Sequence, residues 1–178
     1  MKKIVLLVVL LISAYTMSYS AVDFYLQIKG AKQGTFKGET RNQQFPDNIQ
    51  GIAFSYEIKS PRDAATGQAS GKRQHQPIKI VKEWGAASPQ IFQACVTNEV
   101  LPSVVLQFVH VNSDGFEQVY QTITLTNANI SGVRMFKDYF NSAQGVDSKE
   151  LEEVSFTFQK IQIENLDGKT MAVDDWSR

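Results

Sequence analysis

Apolar and polar residues alternate with a period of two along most of this chain, which restricts it to half-buried β-strands. Val22, Phe24, Leu26 and Ile28 alternate with Asp23, Tyr25, Gln27 and Lys29. Ile52, Phe54, Tyr56 and Ile58 repeat the pattern against Ala53, Ser55, Glu57 and Lys59. Val119, Gln121, Ile123 and Leu125 do so against Tyr120, Thr122, Thr124 and Thr126. The run Val104–Val111 is apolar at nearly every position, which suits a strand covered on both faces. Asn112-Ser-Asp-Gly115 supplies turn chemistry, so 103–111 and 116–126 read as a hairpin. Val154, Phe156 and Phe158 occupy one parity while Ile161 and Ile163 occupy the other. A bulge near Gln159–Lys160 would produce that change of phase, as in a barrel strand that bends. The chain is mainly β.

One helix interrupts the strands, over 88–99. Ser88 supplies a hydroxyl N-cap and Pro89 stands at the first helical position, where its missing N–H is not needed. Ile91, Phe92, Cys95 and Val96 then fall on one face, and Asn98 and Pro102 close the segment. Cys95 on that face reads as a small buried hydrophobe rather than a nucleophile. Lys59–Gly71 contains Pro, Gly and Ala and no large apolar residue, so it reads as a long mobile loop, and Asn141–Lys149 is similar. The stretch 31–48 has weak periodicity and no assigned element.

The N-terminus has another design. Met1-Lys2-Lys3 is followed by an apolar run, Ile4–Ile12, and then by Ser18 and Ser20 at the −3 and −1 places before Ala21. That is the layout of a secretory signal peptide over residues 1–20, cut after Ser20, which directs the chain to the periplasm or the extracellular space. The apolar run is too short to span a membrane as a helix. Of 178 residues, 158 follow it, enough for one domain, 21–178. Losing Lys2 and Lys3 takes the formal charge from 0 to −2, against the basic excess of a nucleic-acid binder. Cys95 is the single cysteine, so no internal disulfide supports the fold.

Candidate chemistry is sparse. Arg73, His75 and Lys79 share one parity of a strand, which would make a basic site for an acidic ligand. No partner base, nucleophile or glycine cradle accompanies them, so a polar face meeting solvent or a neighbouring subunit is the favoured reading. His110 follows strand residues and is expected to hydrogen-bond within the fold; neither histidine has a Cys or His close in sequence. Asp174-Asp175 are adjacent on an extended segment, hence on opposite faces, which suits a solvated chain end better than a catalytic pair. No hydrolase, metalloprotease, phosphate-loop or dinucleotide motif occurs. The residues assign no catalytic, cofactor-binding or metal-binding site.

A family resemblance rests on several segments in order. Gly71-Lys-Arg-Gln-His-Gln-Pro-Ile78, Val81-Lys-Glu83 and Ala87-Ser-Pro-Gln-Ile-Phe-Gln-Ala94 resemble the central signature of the haemolysin-coregulated protein (Hcp) family, the inner tube of the type VI secretion system. Phe24-Tyr-Leu-Gln-Ile-Lys-Gly30 resembles its first strand, Glu153–Ile161 its late strand and Asp174-Asp-Trp176 its ending, so the likeness runs from about Val22 to Trp176. The resemblance implies a small β-barrel of two antiparallel sheets with one flanking α-helix. It also implies hexameric rings that stack into a tube, with itself as first partner and effectors or tube-tip proteins as others, and without catalytic residues or cofactors. A comparable family loop reaches the neighbouring subunit or ring, which points to Lys59–Gly71. Family tubes assemble from the cytoplasmic side and normally carry no leader. The alternative implied by the leader is a secreted or periplasmic Hcp-like binding module that does not build tubes.

Overall fold

The computed structural model describes residues 24–137 and 149–176; the expected leader and most of the expected loop 141–149 lie outside them. The strands are β1 (Phe24–Gly30), β2 (Gly34–Thr35), β3 (Ile49–Gly51), β4 (Ala53–Ser55), β5 (Ile58–Lys59), β6 (Gln74–His75) and β7 (Ile78–Glu83). Helix α1 (Ser88–Val96) follows, then β8 (Leu101–Val111), β9 (Glu117–Lys137), β10 (Glu150–Thr157), β11 (Lys160–Asn165) and β12 (Thr170–Asp175). All pairings between these strands are antiparallel.

Two sheets share the long strand β9. Its first half pairs with β8 and β11, and its second half with β10. Between the halves Asn127 takes a left-handed φ of 49°, and its side-chain amide donates to Gln159 Oε1 at 2.9 Å. Gln159 lies where β10 ends and β11 begins, so both strands turn the same corner together. The expected bulge at Gln159–Lys160 is therefore a change of sheet, and the register slips instead between Ser155 and Phe156 and between Phe108 and Val109.

A second corner lies at Ile52. β3 pairs with β1 in one sheet, β4 pairs with β7 in the other, and the Ile52 N–H donates to Val81 O at 2.8 Å. Pairing thus runs β1–β8–β9–β10–β7 and returns to β1 through 49–55, which closes the two sheets into a small barrel. Closure removes most free edges from the ring, while β12, paired only with β11, stays outside it as an edge strand.

Inward residues of both sheets fill the barrel: Phe24, Leu26, Ile28, Ile78, Ile80, Leu106, Ile123, Leu125, Val154 and Phe156 are all buried. These are the positions the period of two assigns. The exceptions have identifiable causes. Tyr25, on the expected polar face, is buried because Phe45 stacks on it at 4.2 Å from the otherwise unassigned stretch 31–48. Ile52 and Ile58 are exposed, one at the corner and one beyond the barrel. β8 is not covered on both faces, since His110 and Val111 project past the barrel and are exposed.

The helix forms with Pro89 in its first turn and ends at Asn98, whose φ of 50° suits an asparagine. Its inward face differs from the expected one. Ser88, Ile91 and Ala94 are buried and Cys95 is half-buried, whereas Phe92 and Val96 are exposed. Nor does Ser88 cap the helix: its hydroxyl accepts the Gly85 N–H at 3.0 Å and donates to buried Glu152 at 2.9 Å.

Candidate assembly surfaces

The stretch expected to be a mobile loop is a hairpin. β5 and β6 pair through Ile58–His75 and Lys59–Gln74, and an Arg62–Ala69 bridge extends the ladder. At the tip, Asp63 Oδ1 accepts the Ala65 and Thr66 N–H groups and the Thr66 hydroxyl, and Gly67 supplies a φ of 70°. Those bonds hold the Asp63 carboxyl below its ordinary range, with the Thr66 N–H as the largest cause. A side chain that caps backbone N–H groups in this way gives the tip a defined turn, which the Gly- and Ala-rich composition did not reveal. This ribbon continues the β4–β7 pair beyond the barrel, but its ladder forms a separate two-stranded sheet.

At the base of the hairpin, His75 turns inward, with its side chain 3% exposed. Its ring lies among Tyr56, Phe158 and Trp176, at centroid distances of 6.1, 5.4 and 5.4 Å. Nε2 meets Asp174 Oδ2 at 2.7 Å and Nδ1 meets the Tyr56 hydroxyl. A carboxylate accepts only, so in the neutral ring Nε2 carries the proton and Nδ1 accepts from Tyr56. Arg73 donates to the same carboxylate through Nε and to the Asp175 carbonyl through Nη2 at 2.9 Å. The bond from Arg73, helped by His75, holds the Asp174 carboxyl below its usual range against the opposing effect of burial. A shallow cleft beside this cluster is lined by His75, Gln76, Pro77, Thr157, Phe158 and Trp176.

Arg73, His75 and Lys79 therefore do not form a joint site for an acidic ligand. The first two both engage the Asp174 carboxylate of the same chain, and Lys79 faces Glu153 at 3.6 Å. His75 is not on a face open to solvent either. The expected opposite orientation of Asp174 and Asp175 places the Asp174 side chain against Arg73 and His75, so the chain end is anchored rather than merely solvated. His110 is exposed rather than hydrogen-bonded within the fold: its ring stacks on Tyr120 at 5.4 Å, and its Nδ1 lies 3.9 Å from Asp167, beyond hydrogen-bond distance.

Two buried charge clusters escaped the sequence reading. Lys82 and Glu152 are cross-strand partners, both buried, with Nζ 3.2 Å from Oε1; Glu39 joins at 3.5 Å. Parity carried the signal, because Lys82 continues the inward series Ile78, Ile80 and Glu152 opens the inward series Val154, Phe156. Glu99 is buried after the helix and accepts the Lys32 and Gln33 N–H groups at 2.6 and 2.9 Å. Burial alone would raise its carboxyl, but the Gln33 and Lys32 bonds outweigh it and hold it below the ordinary range. No sequence signal marks Glu99, since its donors come from a turn 66–67 positions away.

Several large apolar side chains stand on the outer surface. Trp84, Phe92, Val96 and Val100 are exposed around the helix, as are Met171, Val173 and Trp176 along the C-terminal strand. Phe92 and Val96 stand one turn apart on a single helix face.

Comparison with known proteins places this architecture. The family model described as "Type VI secretion system effector, Hcp" matches residues 25–164. The "Major exported protein" of Pseudomonas aeruginosa is 31% identical over 168 residues, covering 88% of this chain and 96% of that protein. A crystal structure of an Hcp protein superposes with a TM-score of 0.81 at 24% identity, over 88% of this chain and 98% of that one. The Hcp1 protein of E. coli EAEC 042 gives 0.77 at 26% identity, over 88% and 99%. The match over 25–164, on a closed two-sheet barrel with one helix, establishes that this chain belongs to the Hcp family of the type VI secretion system.

Proposed function

We propose that this chain is the ring-forming subunit of a type VI secretion tube, assembling as hexamers that stack and can carry effectors in the lumen. The observation that carries this reading is the Hcp family match over residues 25–164 and the likeness to the "Major exported protein" over 88% of this chain, combined with exposed apolar side chains at Phe92, Val96 and Val100. The subunit works by self-association and, at its ends, by contact with effectors or tube-tip proteins. It performs no catalytic step and needs no cofactor. Rings of identical subunits use heterologous contacts, so one face of the barrel must complement a different face of its neighbour.

Native mass spectrometry of residues 21–178 tests this reading. A species of six subunit masses is expected; a monomer at all concentrations favours the secreted binding module instead. Export through a cleaved leader belongs to the same proposal, and N-terminal sequencing of the exported protein should begin at Ala21. A chain that retains Met1 overturns that part. The hairpin is the stacking arm in this reading, supported by its protrusion and its preformed tip. Deleting 62–70 should abolish stacking and leave rings intact.

A further inference from the structure

The hairpin 58–75 leaves the barrel as a ribbon whose ladder is cut off from the main sheet. Ser55 still pairs with Lys79 in the barrel, but Ile58 pairs with His75, a slip of one position across residues 56–57. Such a slip breaks the ladder and lets a two-stranded ribbon swing. Side chains at its base must therefore fix its direction. Ile58 and Lys59 are exposed. The contacts that reach across to other elements come from Arg73 and His75: both meet Asp174 of β12 through charge and hydrogen bonds, and the His75 ring also packs on Phe158 between β10 and β11. The Trp176 ring closes over His75 from the same strand end.

We propose that Asp174 is the positioning residue of the stacking arm: through its carboxylate the C-terminal strand sets the angle at which the hairpin is presented to the next ring. This rests on the reading of the hairpin as a stacking arm. Its charge acts twice. It holds the Arg73 guanidinium, which also bonds the Asp175 carbonyl, and it fixes the His75 tautomer that accepts from Tyr56. β12 is paired only with β11 and lies outside the barrel ring, so its contacts with Arg73 and His75 bear on the arm rather than on closure of the ring.

Hydrogen exchange and electron microscopy of the assembled full chain test this. In Asp174→Asn, which keeps the shape and removes the charge, amides of 58–75 should exchange roughly tenfold faster or more. Amides of β8 and β9 should keep their parent rates, rings should persist and stacks should be lost. Asp174→Glu should restore both protection and stacking. Unchanged hairpin exchange in the Asn variant overturns the proposal, and so does faster exchange throughout the barrel, which would make Asp174 a support of the fold. If deletion of 62–70 leaves stacking intact, the stacking-arm reading fails by itself, and the exchange data still decide whether Asp174 anchors the hairpin.

Discussion

At the scale of single residues, Gly51 shows how tightly the barrel closes. A Cβ there would stand 2.1 Å from the Phe24 ring, which itself packs 6.3 Å from Phe54 and 5.2 Å from Phe108. Phe24 is fully buried, so its ring can move only by displacing the rings packed against it. Gly51→Ala should therefore cost about 1–3 kcal/mol of stability, as overpacked cores do, measured by urea unfolding. Unchanged stability would mean that the ring has room to move. In the sequence this glycine is unremarkable, because the constraint comes from a strand paired across the corner at Ile52. Lys82 and Glu152 are the opposite case. Their inward parity was legible, but a strand alone does not say whether an inward charge meets a partner. Asp174 was misjudged for a related reason: its partners are 99 and 101 positions away.

At the scale of elements, the buried cluster joins four of them. Glu39 from the stretch after β2, Lys82 of β7, Glu152 of β10 and Ser88 of α1 meet around one ammonium. One cation facing two carboxylates leaves an excess negative charge, and Glu152 Oε2 has no hydrogen-bond partner. Burial raises the Glu39 carboxyl above its ordinary value, and Lys82 offsets this only in part. The native state therefore holds this proton more tightly than the unfolded chain does. Stability from this group falls as pH rises from the ordinary carboxylate value through the raised one. Glu39→Gln should remove that slope, so the variant gains on the parent between pH ~4.5 and neutrality. Urea midpoints at both ends of the window check the sign; a gain that shrinks with rising pH would refute it. Alternation and apolar runs made β1, β8, the first half of β9 and β10 legible, and the proline marked the helix, but β2, the second half of β9 and β12 carried no such pattern and the hairpin read as a loop. The helix's buried face was not, because Phe92 and Val96 look like core by composition and differ only in what lies opposite them.

For the whole molecule, the surface matters as much as the core. Helix α1 buries Ile91 and Ala94 on its inner face and leaves Phe92 and Val96 exposed on its outer face, apolar surface that a neighbour could cover. Phe92→Ser with Val96→Ser should leave the unfolding midpoint within ~0.5 kcal/mol of the parent, as exposed substitutions do. The same pair should reduce the hexamer fraction in sedimentation; an unaltered hexamer would place the ring contact elsewhere. Fold class and family were readable from the order of strands, helix and signature segments. The corners at Asn127 and Ile52 were not, since each depends on two distant segments bending together. The hairpin, too, needed the Asp63 bonds to distinguish a defined turn from slack chain.

Closure through 49–55 also sets a clock. β1 is the first strand made, but most of its ladder is with β8: Lys29 pairs with Ser103 and Phe24 with Phe108. At the roughly 5–20 residues per second of translation, the nascent first strand waits for seconds with its apolar face uncovered. Its early neighbours β2 and β3 are two and three residues long and offer little shelter. Pairings so distant along the chain also slow the search once synthesis ends. Any factor that binds extended apolar segments would find Phe24–Ile28 during that interval.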